Sequence, residues 1–202
     1  MALFDLKTIQ TREKPISDDT TRRVDIIRDR FIEFHSQRVG SLLKDIDKLP
    51  LQGEIIFIET YKAFNAFTFV LMFIKNFGTI DNLYIGSYSL SARIINSLFN
   101  YLQKGRIKKI TITVSSTLSY RMPKIKDLCD SIALQNENFN MIYANTHKKI
   151  TCVSCNAEHY VIEGSGNYNE NSSREQYILL NSKKIYDFRK DNLLKNTIND
   201  KS

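Results

Sequence analysis

The chain has 202 residues, 42% hydrophobic and 25% charged, the make-up of one ordinary globular domain whose core needs no disulfide or metal staples. Its net charge of +7 favours a polyanionic partner, either nucleic acid or an acidic membrane surface. The most apolar stretch, residues 64–74, is too short to span a bilayer, and residues 1–10 lack the apolar run of a leader, so a cytoplasmic protein outside the membrane is expected.

In chain order, residues 1–17 are polar and unpatterned and read as a flexible arm. Residues 18–50 read as an N-terminal helical extension. Val24, Ile26, Ile27, Phe31, Ile32 and Phe34 recur at helical spacing, and Asp18 or Asp19 is placed to cap them. Arg22, Arg23, Arg28 and Arg30 read as a solvated helix face or a DNA-contact arm, and the interleaved Asp25 and Asp29 favour solvation. Strands are then predicted over 54–60, 82–88, 108–114 and 139–144. Helices fall between them over 63–75, 91–104 and 123–134. Single helices between strands imply βαβ units, hence a mixed, mostly parallel sheet sandwiched by helices. After Asn145 the rhythm changes. Two short β runs, 149–153 and 159–163, have no room for a helix between them and read as a hairpin. A strand over 176–180 and a helix over 183–194 follow, with residues 191–202 as helix end and tail.

The chemistry concentrates between His147 and Glu175. Neutral imidazole can attack phosphorus, and a lysine ammonium can balance the charge of the non-bridging oxygens. Serine and asparagine add directed hydrogen bonds. A carboxylate can fix a histidine tautomer through its far nitrogen. His147 and Lys149, two residues apart on an extended chain, share one face. Gly164 and Gly166 permit a tight turn that brings Ser165 and Asn167 to that face. Glu175 follows as the supporting acid.

This pattern, His147-x-Lys149 with Gly164-Ser165-x-Asn167 and Glu175, resembles the phospholipase D superfamily in its single-motif, nuclease-like form. The resemblance covers residues 52–190 and implies a phospholipase D-like fold. It implies His147 as nucleophile, Lys149 and Asn167 as phosphate ligands, Ser165 as support and Glu175 as the residue orienting histidine. No cofactor is implied. The family pattern places aspartate five residues beyond the lysine, where this chain has Ser154. The chain holds no second H-x-K. His35 is followed by Ser36 and Gln37, and His159 by Tyr160 and Val161. The resemblance therefore implies a homodimer with one composite site, through an isologous interface.

The implied activity is metal-independent phosphodiester cleavage, foremost of DNA. The alternatives are a phospholipase or phosphatidyl transferase, and a non-catalytic nucleic-acid-binding module on the same fold. Arg121, Lys124, Lys126, Asn169 and Arg174 are candidates for further substrate contacts. Any ATPase or helicase partner would be another chain, because no Walker-type loop is present. Cys152 and Cys155, with Cys129 and nearby His159, fall short of a well-spaced four-ligand set. Reduced hairpin cysteines and no metal are expected.

Overall fold

Among the described residues every strand joins one sheet, and the connections between strands decide where the candidate residues gather. The computed structural model describes residues 38–46, 48–60, 64–169 and 174–195. The predicted arm, the apolar stripe and arginines of 18–37, Asn171 and the tail beyond 195 lie outside the described residues. Within the predicted N-terminal extension, residues 38–46 are helical (α1).

The remaining elements are β1 (Ile55–Thr60), α2 (Phe67–Phe77), β2 (Asn82–Ser87), α3 (Ala92–Gln103), β3 (Ile110–Ser115), α4 (Leu118–Arg121), α5 (Pro123–Gln135), β4 (Phe139–Ala144), β5 (Ile150–Cys155), β6 (Glu158–Gly164), β7 (Glu175–Asn181) and α6 (Lys183–Leu194). Local chemistry accounts for several boundaries. Ser91 and Ser182 accept from the backbone N–H of Ile94 and Ile185, capping α3 and α6. Pro123 opens α5, where its missing N–H costs no helical bond. Asn156 and Ala157, both at positive φ, form the two-residue turn between β5 and β6. The single turn α4 is absent from the sequence prediction, being too short to show a helical period.

The strand order is β1-β7-β6-β5-β2-β3-β4. The sheet is mixed and flanked by helices, as predicted, but it is not mostly parallel. Only β2–β3 and β3–β4 pair in parallel, while β2–β5, β5–β6, β6–β7 and β7–β1 are antiparallel. The connection lengths explain this. A parallel neighbour needs a crossover of about a dozen residues. Residues 145–149 are all that separate β4 from β5, so β5 enters antiparallel to β2. With both flanks of β2 taken by β3 and β5, β1 lies at the far edge. It pairs with β7 from Ile55↔Leu180 to Thr60↔Glu175.

Helices cover the two faces of the inner strands. The run Phe67 to Phe73 of α2 is buried throughout, as expected for a helix apolar on all sides. Phe73 packs on Tyr160 of β6 and Phe69 on Tyr177 of β7. On the opposite face, Tyr186 and Leu193 of α6 join Ile150, Cys152, Val161 and Leu180 in one cluster. Side chains such as Phe67, Phe69 and Phe73 are fully buried. Each contributes about 1.5–3 kcal/mol relative to exposure.

Candidate functional site

The carboxyl ends of β2, β3 and β4 lie on one edge of the sheet. The antiparallel strands bring the start of β5, the end of β6 and the start of β7 to the same edge. Strand order reverses at β2, whose neighbours continue on one side and return on the other, and such switch points leave a crevice at the carboxyl ends. The connection from β4 to β5 must cross this edge. The two strands are three positions apart, about 14 Å at the usual strand spacing. The six Cα-to-Cα steps from Ala144 to Ile150 reach about 21 Å when fully extended. Residues 145–149 are therefore long enough for this crossing, and they carry His147 to Tyr88 just past the end of β2.

His147 and Lys149 lie in this extended connection, ahead of β5, rather than on the strand itself. The alternation predicted for them holds. Lys149 Nζ is 3.0 Å from His147 Nδ1 and donates to the His147 carbonyl oxygen at 3.0 Å. Lys148 turns the other way and donates to Asn192 of α6. Partial burial holds the Lys149 ammonium below the usual lysine range, while the negative charge of Glu175 and the Tyr88 phenol pull it back up.

Opposite this pair lies the turn after β6. Asn167 Oδ1 accepts from the Tyr88 backbone N–H at 3.2 Å, which ties the turn to the end of β2 and orients the amide. Ser165 Oγ donates to Glu175 Oε2 and accepts from the Gln176 N–H at 3.1 Å. Glu175 is itself only 8% exposed, at the first position of β7. Gly164 and Gly166 are required by close approach. A Cβ on Gly166 would lie 1.9 Å from Tyr177 Oη, and one on Gly164 2.3 Å from the Gln176 carbonyl oxygen.

The remaining candidates divide. Arg121, at the end of α4, donates to the Tyr88 hydroxyl and so reaches the His147 neighbourhood. Asn169 donates to Ser89 Oγ at 3.0 Å, on the loop after β2. Lys124 and Arg174 are exposed, at the start of α5 and just before β7. Lys126 is engaged elsewhere. It pairs with Asp130 at 2.5 Å and lies 5.4 Å from the centre of the Tyr143 ring. Ser154 lies at the far end of β5, about 17 Å along the strand from Lys149 at the usual rise. Its Oγ accepts from Asn82 Nδ2 at 3.1 Å and is bonded to Tyr186. Cys129, Cys152 and Cys155 are free and buried, and burial pushes each thiol up to about 12.

Tyr88 is the residue that sequence reasoning missed. Its ring centre is 4.6 Å from that of His147, and Lys149 Nζ is 6.0 Å from it. In sequence it is only the residue after a strand, and no spacing to His147 marks it.

The chain matches no family model, and no curated protein matches its sequence. Solved structures are similar to it in fold. A polyphosphate kinase from Porphyromonas gingivalis is 12% identical at a TM-score of 0.53, over 74% of this chain and 27% of that one. A phosphatidylserine synthase from Haemophilus influenzae Rd KW20 is 13% identical at a TM-score of 0.47, over 72% and 38%. TrmBL2, an archaeal chromatin protein, is 12% identical at 0.43, over 86% and 62%. The chain thus spans less than two thirds of each of these proteins. The likeness to the polyphosphate kinase shows the fold, a mixed sheet of seven strands flanked by helices, consistent with the phospholipase D-like fold.

Proposed function

We propose that this chain is a metal-independent phosphodiesterase acting on nucleic acid, DNA foremost, through a phosphohistidine. The observation that carries this reading is the meeting of His147, Lys149, Ser165, Asn167 and Glu175, drawn from three separate segments, at one sheet edge. Lys149 and the Asn167 amide bind the non-bridging oxygens of the scissile phosphate. A phosphate oxygen that takes the Lys149 ammonium frees His147 Nδ1 to carry the ring proton. The Nε2 lone pair then attacks phosphorus, forming a P–N bond as the P–O bond to the leaving group breaks. Glu175, through Ser165, holds the turn that presents Asn167. The protonated imidazole of the partner subunit's His147 gives its proton to the leaving oxygen, and afterwards takes one from the water that hydrolyses the phosphohistidine. This requires a homodimer with one composite site. Any ATPase or helicase motor would be a separate chain.

Ser154 supports retained chemistry, because it sits at the end of β5 remote from His147 and is occupied with Asn82 and Tyr186. The test is cleavage of plasmid and single-stranded DNA in excess EDTA. The wild type should cleave and form an acid-labile phosphoenzyme, and His147→Ala should do neither. Cleavage untouched by that substitution overturns the reading. Turnover of a choline or ethanolamine phospholipid without effect on DNA would move the substrate to lipid.

A further inference from the structure

Tyr88 contacts three of the groups just described and lies near a fourth. Its backbone N–H donates to Asn167, its hydroxyl accepts from Arg121, its ring lies 4.6 Å from the His147 ring, and Lys149 Nζ is 6.0 Å from its centre. The Arg121 guanidinium is also 5.5 Å from the ring centre, within cation–π range. These contacts come from four segments: the end of β2, the end of α4, the connection before β5 and the turn after β6. Tyr88 is half-buried, which limits its ring to few rotamers, whereas Arg121 is exposed at the end of a single helical turn.

We propose that Tyr88 is a positioning residue of this site, its ring setting the tilt of the His147 imidazole and its hydroxyl holding Arg121 as a second cation for the bound phosphate. This rests on the reading of the site as phosphate-binding. It extends that reading by making Arg121 part of the anion site through Tyr88, and by dividing the two duties between different atoms of one side chain. The hydroxyl governs affinity for the anion. The ring governs the nucleophile.

The experiment uses the full chain and inorganic phosphate as probe, followed by proton NMR of its three histidines, so that no turnover is needed. Tyr88→Phe, which loses the hydroxyl contact but keeps the ring beside Arg121, should weaken phosphate binding several-fold, and Arg121→Ala about tenfold, for loss of one charge-assisted contact. The double variant should be no weaker than Arg121→Ala alone. The His147 imidazole resonances should stay in place in Tyr88→Phe and move in Tyr88→Leu, which removes the ring. If the enzyme turns over, Tyr88→Phe should raise KM and spare kcat, and Tyr88→Leu should lower kcat. Arg121→Lys should recover part of the affinity. Additive losses in Tyr88→Phe and Arg121→Ala, or unmoved His147 resonances in a folded Tyr88→Leu, overturn the inference. Phosphate binding without DNA cleavage would sink the proposed activity and leave the Tyr88 experiment intact.

Discussion

Gly166 and Lys149 show how tightly individual side chains are committed at this edge. The Tyr177 hydroxyl lies under Gly166 and is buried with no hydrogen-bond partner among the described residues. A methyl group at Gly166 must displace that hydroxyl or the turn, which costs about 1–3 kcal/mol by overpacking. Urea melts of Gly166→Ala should show that loss, and adding Tyr177→Phe should recover part of it by removing the clashing atom. Tyr177→Phe alone should be neutral or stabilising, since it removes an unsatisfied buried group. A Gly166→Ala protein as stable as wild type would contradict the contact. Lys149 carries a second prediction. Its pKa is lowered in the folded chain, so between the folded and unfolded values the unfolded chain binds more protons, and stability rises with pH across that alkaline window. Lys149→Met should remove this rise. Phosphate binding should fall away at lower pH than for an ordinary lysine, and Lys149→Arg should push that limb upward.

At the scale of elements, the β5–β6 hairpin carries local strain. Asn156 and Ala157 have φ of 49° and 65°, the left-handed region that suits asparagine and disfavours alanine. A left-handed alanine costs about 1–2 kcal/mol, against which glycine gives back about 0.4–1 kcal/mol in unfolded-state entropy. Ala157→Gly should therefore stabilise the fold by about 0.5–1 kcal/mol, read as a higher urea midpoint at unchanged m-value. A lower midpoint would show that the turn is held differently. The connection between β4 and β5 has the opposite character. None of its residues is at positive φ, and it crosses three strand positions to deliver His147 to Tyr88. Most of these elements were legible in sequence. Phe139–Ala144 and Lys183–Leu194 fall at their predicted bounds, because alternation and an N-cap serine are local signals. α4 was not legible, because one turn shows no period.

For the whole molecule, the net charge of +7 and the placement of Arg121, Lys124, Lys149 and Arg174 in segments at the same end of the sheet support the proposal of a polyanionic ligand there. If these four side chains meet phosphates of duplex DNA, the logarithm of affinity should fall with the logarithm of salt at a slope of about −3 to −4. A slope shallower than about −1 would remove DNA as the ligand of this edge. The proposed composite site requires a particle of twice the 23.5 kDa chain mass. Sedimentation as a monomer under conditions of full activity would refute the two-histidine mechanism. No helix among the described residues is long and apolar enough to cross a membrane.

By itself, the sequence determined which segments are strands and which are the longer helices, and which residue types lie near one another along the chain. His147-x-Lys149 and Gly164-Ser165-x-Asn167 were readable because each is a short motif on an extended or turning backbone, where spacing decides which side chains share a face. The tertiary structure decided which strands are neighbours. The placement of β1 beside β7 and the antiparallel entry of β5 both follow from connection lengths and from the filling of both flanks of β2. Only that arrangement brings Tyr88 of one segment against His147 of another and Arg121 of a third. Local periodicity carries no record of such contacts, because they depend on which surfaces remain open once the sheet has closed.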